Sequence, residues 1–125
     1  MLPAVYRMRR GSDFEAAVRR GRRSGRRTLV VHARVSRVGG APGSQERLQA
    51  PRVGFVVARS VGNAVVRNRV KRRLRAAMAS RVAALPAGAL VVVRANPAAA
   101  AADWAMLIAD LDAALPKALL LGESR

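Results

Sequence analysis

Between Gly62 and Arg75 the chain reads Gly-Asn-Ala-Val-Val-Arg-Asn-Arg-Val-Lys-Arg-Arg-Leu-Arg, and no other stretch limits the fold as strongly. Six cations fall in the nine residues from Arg67 to Arg75, with no carboxylate among them. At roughly 100° per residue, a helix puts Val66, Val70, Leu74 and Met78 on one side, and Asn68, Arg69, Lys71, Arg72 and Arg75 fan around the other. The apolar side requires a surface to lie on, and the cationic side is left for a partner. Gly62-Asn63 marks the start, because Asn caps free N–H groups and Gly tolerates unusual backbone angles. Cations in the first turns oppose the helix dipole, so stability alone does not place them there. The helix is expected from Asn63 to about Leu85, where Pro86 and Gly88 stop it.

The rest of the chain shares this charge bias. Lys and Arg number 24 against 7 Asp and Glu, giving +17 at pH 7, a balance that costs stability by self-repulsion and suits a phosphate-rich partner. All the cations but Lys71 and Lys117 are Arg, whose planar fork binds phosphate in bidentate fashion. The 125 residues make one domain, with residues 1–11 a basic arm carrying Arg7, Arg9 and Arg10, 39–51 a flexible loop, and 117–125 a helix extension or a frayed tail. There is no Cys, so disulfides and thiolate metal sites are ruled out. No apolar run has the length of a signal peptide core or a membrane span, and a soluble cytoplasmic protein is expected.

Along the chain, Ser12-Asp13-Phe14-Glu15 has the form of a capping box and predicts a short helix with Phe14, Ala17 and Val18 on one face, ending at Gly21. From Thr28 to Ser36 the period becomes two. Leu29, Val31, Ala33 and Val35 face one way, and Val30, His32, Arg34 and Ser36 make a wetter side. Val53 to Ala58 and Ala89 to Arg94 read as strands covered on both faces, and the basic helix between them makes a crossover unit within a mixed sheet. Asp103 to Leu115 forms a last helix with Trp104, Leu107, Ile108, Leu111 and Leu115 inward, which Pro116 ends or kinks.

Catalytic groups are scarce. His32 is the one histidine, and no acid occurs from Arg47 to Ala102. Asp103, Asp110 and Asp112 are expected on a solvated helix face, so convergent carboxylates for metal-assisted nuclease chemistry are missing. No catalytic residue and no protein metal site is expected. Trp104 is expected as a core anchor, His32 as a surface or groove residue titrating near pH 6.5, and Phe14 as a core-edged aromatic with an exposed part.

Several motifs in order resemble the protein component of bacterial ribonuclease P. They are Arg9-Arg10-Gly11-Ser12-Asp13-Phe14 before a segment ending Arg19-Arg20-Gly21-Arg22-Arg23, then Arg52-Val53-Gly54-Phe55-Val56-Val57, then Gly62-Asn63-Ala64-Val65 followed by Arg67-Asn68-Arg69, Lys71-Arg72 and Arg75, then Leu90-Val91-Val92-Val93-Arg94 and Asp110-Leu111. The resemblance implies an α+β fold, an α-β-β-β-α-β-α sandwich with a mixed sheet and a left-handed strand-helix-strand crossover. It also implies a first short strand near Arg23 to Arg26.

It implies in addition that Asn63, Arg67, Asn68, Arg69, Lys71, Arg72 and Arg75 bind RNA, and that a groove between the first helix and the sheet takes the single-stranded 5′ leader of precursor tRNA. Phe14, Val18, His32 and Arg59 would line that groove. Val18 and His32 stand where the family often has aromatics, so leader stacking is expected to be weaker or shared with His32, and basic character at the end of the next strand is thinner, with Arg59 followed by Ser60. The implied partners are the catalytic RNA subunit and precursor tRNA, with no membrane and no DNA. Mg2+ would be bound mainly by the RNA, which supplies the catalysis. The competing reading is a stand-alone or ribosome-associated RNA-binding protein with no part in cleavage.

Overall fold

The computed structural model describes residues 2–35 and 50–123. Most of the expected loop at 39–51 therefore lies outside the described residues, as does Ser36 of the expected strand. The element order is α1 (Gly11–Glu15, prolonged by a wider π-helical turn over Ala16–Arg20), β1 (Arg22–Gly25), β2 (Leu29–Arg34), β3 (Arg52–Val56), α2 (Ala64–Ala79), β4 (Leu90–Ala95) and α3 (Trp104–Glu123). This is the expected α-β-β-β-α-β-α order. One four-stranded mixed sheet runs β1-β2-β4-β3, with β3 and β4 parallel and the other pairs antiparallel.

Period two along the strands divides the sheet into two faces. Leu29, Val31 and Ala33 of β2, Val53 of β3, and Val91 and Val93 of β4 join the larger core. The apolar side of α2 (Val70, Leu74, Met78) and that of α3 (Leu107, Leu111, Leu115) cover this face. On the opposite face Val92 forms a smaller core with Ala17 of the π turn and Met8, against which Phe14, Val56 and Leu90 pack.

The N-terminal residues wrap one sheet edge. Leu2 is buried in the larger core and Met8 in the smaller, so the segment between them crosses from face to face past β3. Arg7 bridges Val53 in parallel, and the Met8 N–H donates to the Val53 carbonyl at 2.9 Å.

Four local expectations need correction. Ser12 does not cap α1: the cap position is Arg10, in extended backbone and without a side-chain bond. Ser12 is already helical, and the acid of the first turn, Asp13, reaches Arg52 at 3.2 Å. The basic helix ends at Ala79, not near Leu85. The Arg81 guanidinium donates to the Ala77 carbonyl at 2.6 Å and pairs with Asp112 at 2.7 Å, and a 3-10 turn over Val82–Ala84 then tucks Val82 and Leu85 into the core. The turn from Pro86 to Ala89 closes through an Ala89 N–H bond to the Pro86 carbonyl, with Gly88 at φ 77, a left-handed angle that glycine suits.

Pro116 does not end α3, which continues to Glu123 because Ala114, Leu115 and Ala118 are buried on either side of it. Trp104 is 47% exposed instead of anchoring the core. It is the first residue of α3, next to Asp103, whose carboxylate accepts from the Met106 N–H at 2.8 Å, and the inward stripe begins a turn later at Leu107. Among the described residues, no helix is long and apolar enough to cross a membrane.

Candidate nucleic-acid interface

The side chain of Asn63 starts α2, its Oδ1 accepting from the Val66 N–H at 3.0 Å. With Val70, Leu74, Ala77 and Met78 buried against the sheet, the polar residues have nowhere to go but outward. Asn68, Lys71, Arg72 and Arg75 converge with Val65, itself 75% exposed, around a shallow cleft of about 420 Å³. Arg26–Asp110, Arg52–Asp13 and Arg81–Asp112 are ion pairs, and among the described residues none neutralises a cation between Arg67 and Arg75. Uncompensated charge held on a rigid helix attracts a polyanion and repels itself without one.

The six cations are not equivalent. The Arg69 guanidinium donates to the Ala100 carbonyl at 3.1 Å, and that of Arg73 to the Ala102 carbonyl at 3.2 Å, which ties α2 to the segment ahead of α3. Arg67 and Arg69 are half-buried, and their Nε atoms are enclosed without a hydrogen-bond partner. Of the residues expected at this surface, the structure brings Asn68, Lys71, Arg72 and Arg75 together. It turns Arg69 toward the flank and uses Asn63 as a cap. The tethering role of Arg73 had no sequence signal, since its partners are backbone carbonyls of an Ala-rich turn.

The other sheet face carries the second set. Cross-strand register aligns Arg23, His32, Val92 and Gly54 in one row, with Gly25, Val30, Arg94 and Val56 in the next. Phe14 lies half-buried on Gly54: a Cβ built there would stand 2.5 Å from the ring's Cε1 and Cζ and 3.2 Å from the Met8 sulfur. Only glycine leaves room for the ring at that point. Val18 is 43% exposed one turn along, and Arg59 is exposed in the 3-10 turn Arg59–Val61 that follows β3.

His32 departs from its expected place on a wet face, being only 5% exposed. Alternation assigned it the correct face, but that face is roofed by the π turn. Burial lowers its pKa from 6.5, and the positive charges of Arg94 and Arg23 lower it further, so the ring is neutral at pH 7 and does not titrate as an ordinary surface histidine. Its Nε2 is buried without a partner. Arg23 and Arg94, absent from the sequence-based set, belong to this surface. Period two applied to Leu90–Arg94 would have found Arg94, since it lies one residue beyond the inward Val93.

Asp103 and Asp112 are exposed, as expected of a solvated helix face, whereas Asp110 is half-buried. Asp110 accepts from the Thr28 hydroxyl at 2.6 Å and the Thr28 N–H at 3.0 Å. The Thr28 hydroxyl bond leads in holding its carboxyl below the usual range. Asp112 is lowered chiefly by its hydrogen bond from Arg81. With Asp13 on Arg52, these acids are scattered and committed, and the described residues contain no group of three or more His, Cys, Asp or Glu placed to hold a metal ion.

A family model described as Ribonuclease P matches residues 2–119. A "Ribonuclease P protein component" from Streptomyces avermitilis is 58% identical over 120 residues, covering 95% of this chain and 96% of that protein. One of the same description from Streptomyces bikiniensis is 57% identical with the same coverage. Among solved structures, the Staphylococcus aureus RNase P protein superposes with a TM-score of 0.71 at 22% identity, over 93% of this chain and 97% of that one, a likeness of fold. An RNase P protein from Thermotoga maritima gives 0.67 at 25% identity, over 93% and 97%.

Proposed function

Since the chain belongs to the ribonuclease P protein family, and is thereby a protein component of a holoenzyme that acts as an endonuclease on tRNA precursors, we propose that its own part is to bind RNA on two surfaces and leave the bond cleavage to the catalytic RNA. The observation that carries this reading is the unpaired cationic side of α2. Asn68, Lys71, Arg72 and Arg75 sit at its centre and Asn63, Arg67 and Arg69 at its margin. These groups neutralise backbone phosphates of the catalytic RNA and of the precursor close to the scissile bond.

The second surface takes the single-stranded 5′ leader against α1 and the sheet. Phe14 offers a ring to one base, Val18 and Arg59 flank it, and Arg94 and Arg23 supply positive charge beside the neutral His32. Mg2+ belongs to the RNA partner in this scheme, and Asp13, Asp110 and Asp112 are engaged by Arg and Thr partners. The role places the protein in the cytoplasm, with no membrane and no DNA partner.

Reconstitution tests the proposal. The purified chain added to catalytic RNA should raise cleavage of the 5′ leader at low Mg2+, and Phe14→Ala should reduce the gain for precursors with leaders of several nucleotides and not for those with a leader of one. A chain that binds both RNAs and leaves cleavage unchanged would assign it instead to RNA binding alone.

A further inference from the structure

We propose that a third cationic element, the cleft between the N-terminal arm and β3 lined by Arg7, Arg9, Arg10 and Arg52, binds a backbone phosphate of the precursor's 5′ leader next to the nucleotide at Phe14. This rests on the leader-groove reading above. The cleft, of about 340 Å³, is completed by Ala4 and Val5. Its charge is poorly compensated. Arg52 pairs with Asp13 at 3.2 Å, whereas Arg7, Arg9 and Arg10 take part in no ion pair among the described residues. Three such guanidiniums in one cleft repel one another until an anion enters.

The cleft is built before any ligand arrives. Leu2 is fixed in the core on one sheet face and Met8 in the core on the other. Between them the Arg7 Nε donates to the Leu2 carbonyl at 3.1 Å, and Met8 is hydrogen-bonded to β3. Asp13 orients Arg52 from the α1 side. Little backbone ordering entropy remains to be lost on binding.

Position identifies the occupant. The Phe14 N–H donates to the Arg10 carbonyl at 3.3 Å, so the ring lies one helical turn from the cleft. Gly54, beneath the ring, is two residues along β3 from Arg52, and period two puts both on the same sheet face. A strand that places a base at Phe14 therefore has an adjoining phosphate within reach of Arg10 and Arg52. The cationic side of α2 belongs to the opposite sheet face, so RNA lying along α2 leaves the arm uncovered. The lining offers guanidinium forks and two small apolar side chains, with no aromatic platform and no neutral polar group, so the cleft reads phosphate and not base identity.

The test uses Arg9→Ala/Arg10→Ala in the full chain, reconstituted with catalytic RNA, and precursors whose leaders lengthen one nucleotide at a time from the mature 5′ end. Affinity should equal wild type until the leader passes Phe14. Beyond that length it should fall roughly tenfold or more. The log–log salt slope for long leaders should shrink by about 0.7, the value for one phosphate contact to a single strand, and the loss should be the same for leaders of different sequence. Melting should match wild type, because both side chains are exposed and only the Arg10 backbone is used in α1.

No loss at any leader length overturns the assignment. So does an equal loss with mature tRNA, or weaker binding of the catalytic RNA alone, since the arm would then touch something other than leader. Phe14→Ala measured in parallel separates the two ideas. If its effect depends on leader length and that of the arm variant does not, the arm assignment fails and the groove stands. If Phe14→Ala shows no dependence on leader while the arm variant does, the groove reading fails and the cleft stands.

Discussion

Lys71→Ala/Arg72→Ala/Arg75→Ala removes three outward cations of α2 that line the cleft with Asn68 and bridge to no acid, whereas Arg69→Ala removes a side chain that holds Ala100. The triple variant should bind RNA with a log–log salt slope smaller in magnitude by roughly 2.1 to 2.7, at ~0.7 to 0.9 per lost contact. Between 50 and 200 mM salt, wild type should then lose about 20- to 40-fold more affinity than the variant. Its melting temperature should hold or rise slightly as self-repulsion is relieved. Arg69→Ala should behave differently. Losing a part-buried bond from a charged donor to a carbonyl costs about 1 kcal/mol. With ~2.1 cal/mol/K of unfolding entropy per residue, 125 residues give about 0.26 kcal/mol/K, and melting should fall by about 4 °C. Filter binding against salt and thermal unfolding by circular dichroism measure the two effects separately. A triple variant with the wild-type slope would refute the electrostatic account of α2. Arg69→Ala with unchanged melting and a slope change as large as that of the triple would refute the division between tether and contact.

Two further outcomes concern protonation. Asp110→Ala strands the buried Thr28 hydroxyl and N–H and should cost about 2–4 kcal/mol, or roughly 8–15 °C in melting. Since the folded carboxyl is held below its ordinary value, this contribution is present above the unfolded pKa of about 3.9 and is lost as pH falls through the folded value, so wild type and variant should converge in acid unfolding titrations. For His32 the folded pKa is also lowered, so the unfolded chain binds the extra proton below about pH 6.5 and stability should drop there. His32→Phe should remove that drop, worth at most about 1.4 kcal/mol at pH 5.5, and denaturant melts at pH 7.5 and 5.5 in which both proteins lose equally would contradict it.

The two sides of α2 were legible because four apolar residues at i, i+4 spacing and a block of cations leave one way to lay the helix down. Alternation likewise assigned Leu29, Val31 and Ala33 to the core. β1 had almost no signal of its own. Arg-Arg-Ser-Gly carries no apolar alternation, and it becomes a strand through its ladder with β2 and its packing near α3. His32 shows the limit of periodicity, which names a face and not what covers that face. The end of α2 has a related cause, since the Arg81–Asp112 pair joins residues far apart in sequence. Trp104 has a local one: Asp103 caps α3 and leaves Trp104 at its exposed first position, a turn before the inward stripe. At the candidate site the residue types were evident, but which Arg would point outward depended on backbone carbonyls of a distant Ala-rich turn.

The route of the first residues around the sheet edge also sets a clock for the molecule. Leu2 shares its core with Leu111 and Ala118, so residues distant in sequence are buried together. During synthesis the arm has β3 to pair with only after Val53 has emerged, and its hydrophobic anchor has a complete pocket only after α3 is out. Contacts this far apart in sequence form slowly. Once assembled, the same segment occupies the outer strand at Val53 and blocks that point to other chains, a safeguard against edge-to-edge association that removal of the arm would forfeit.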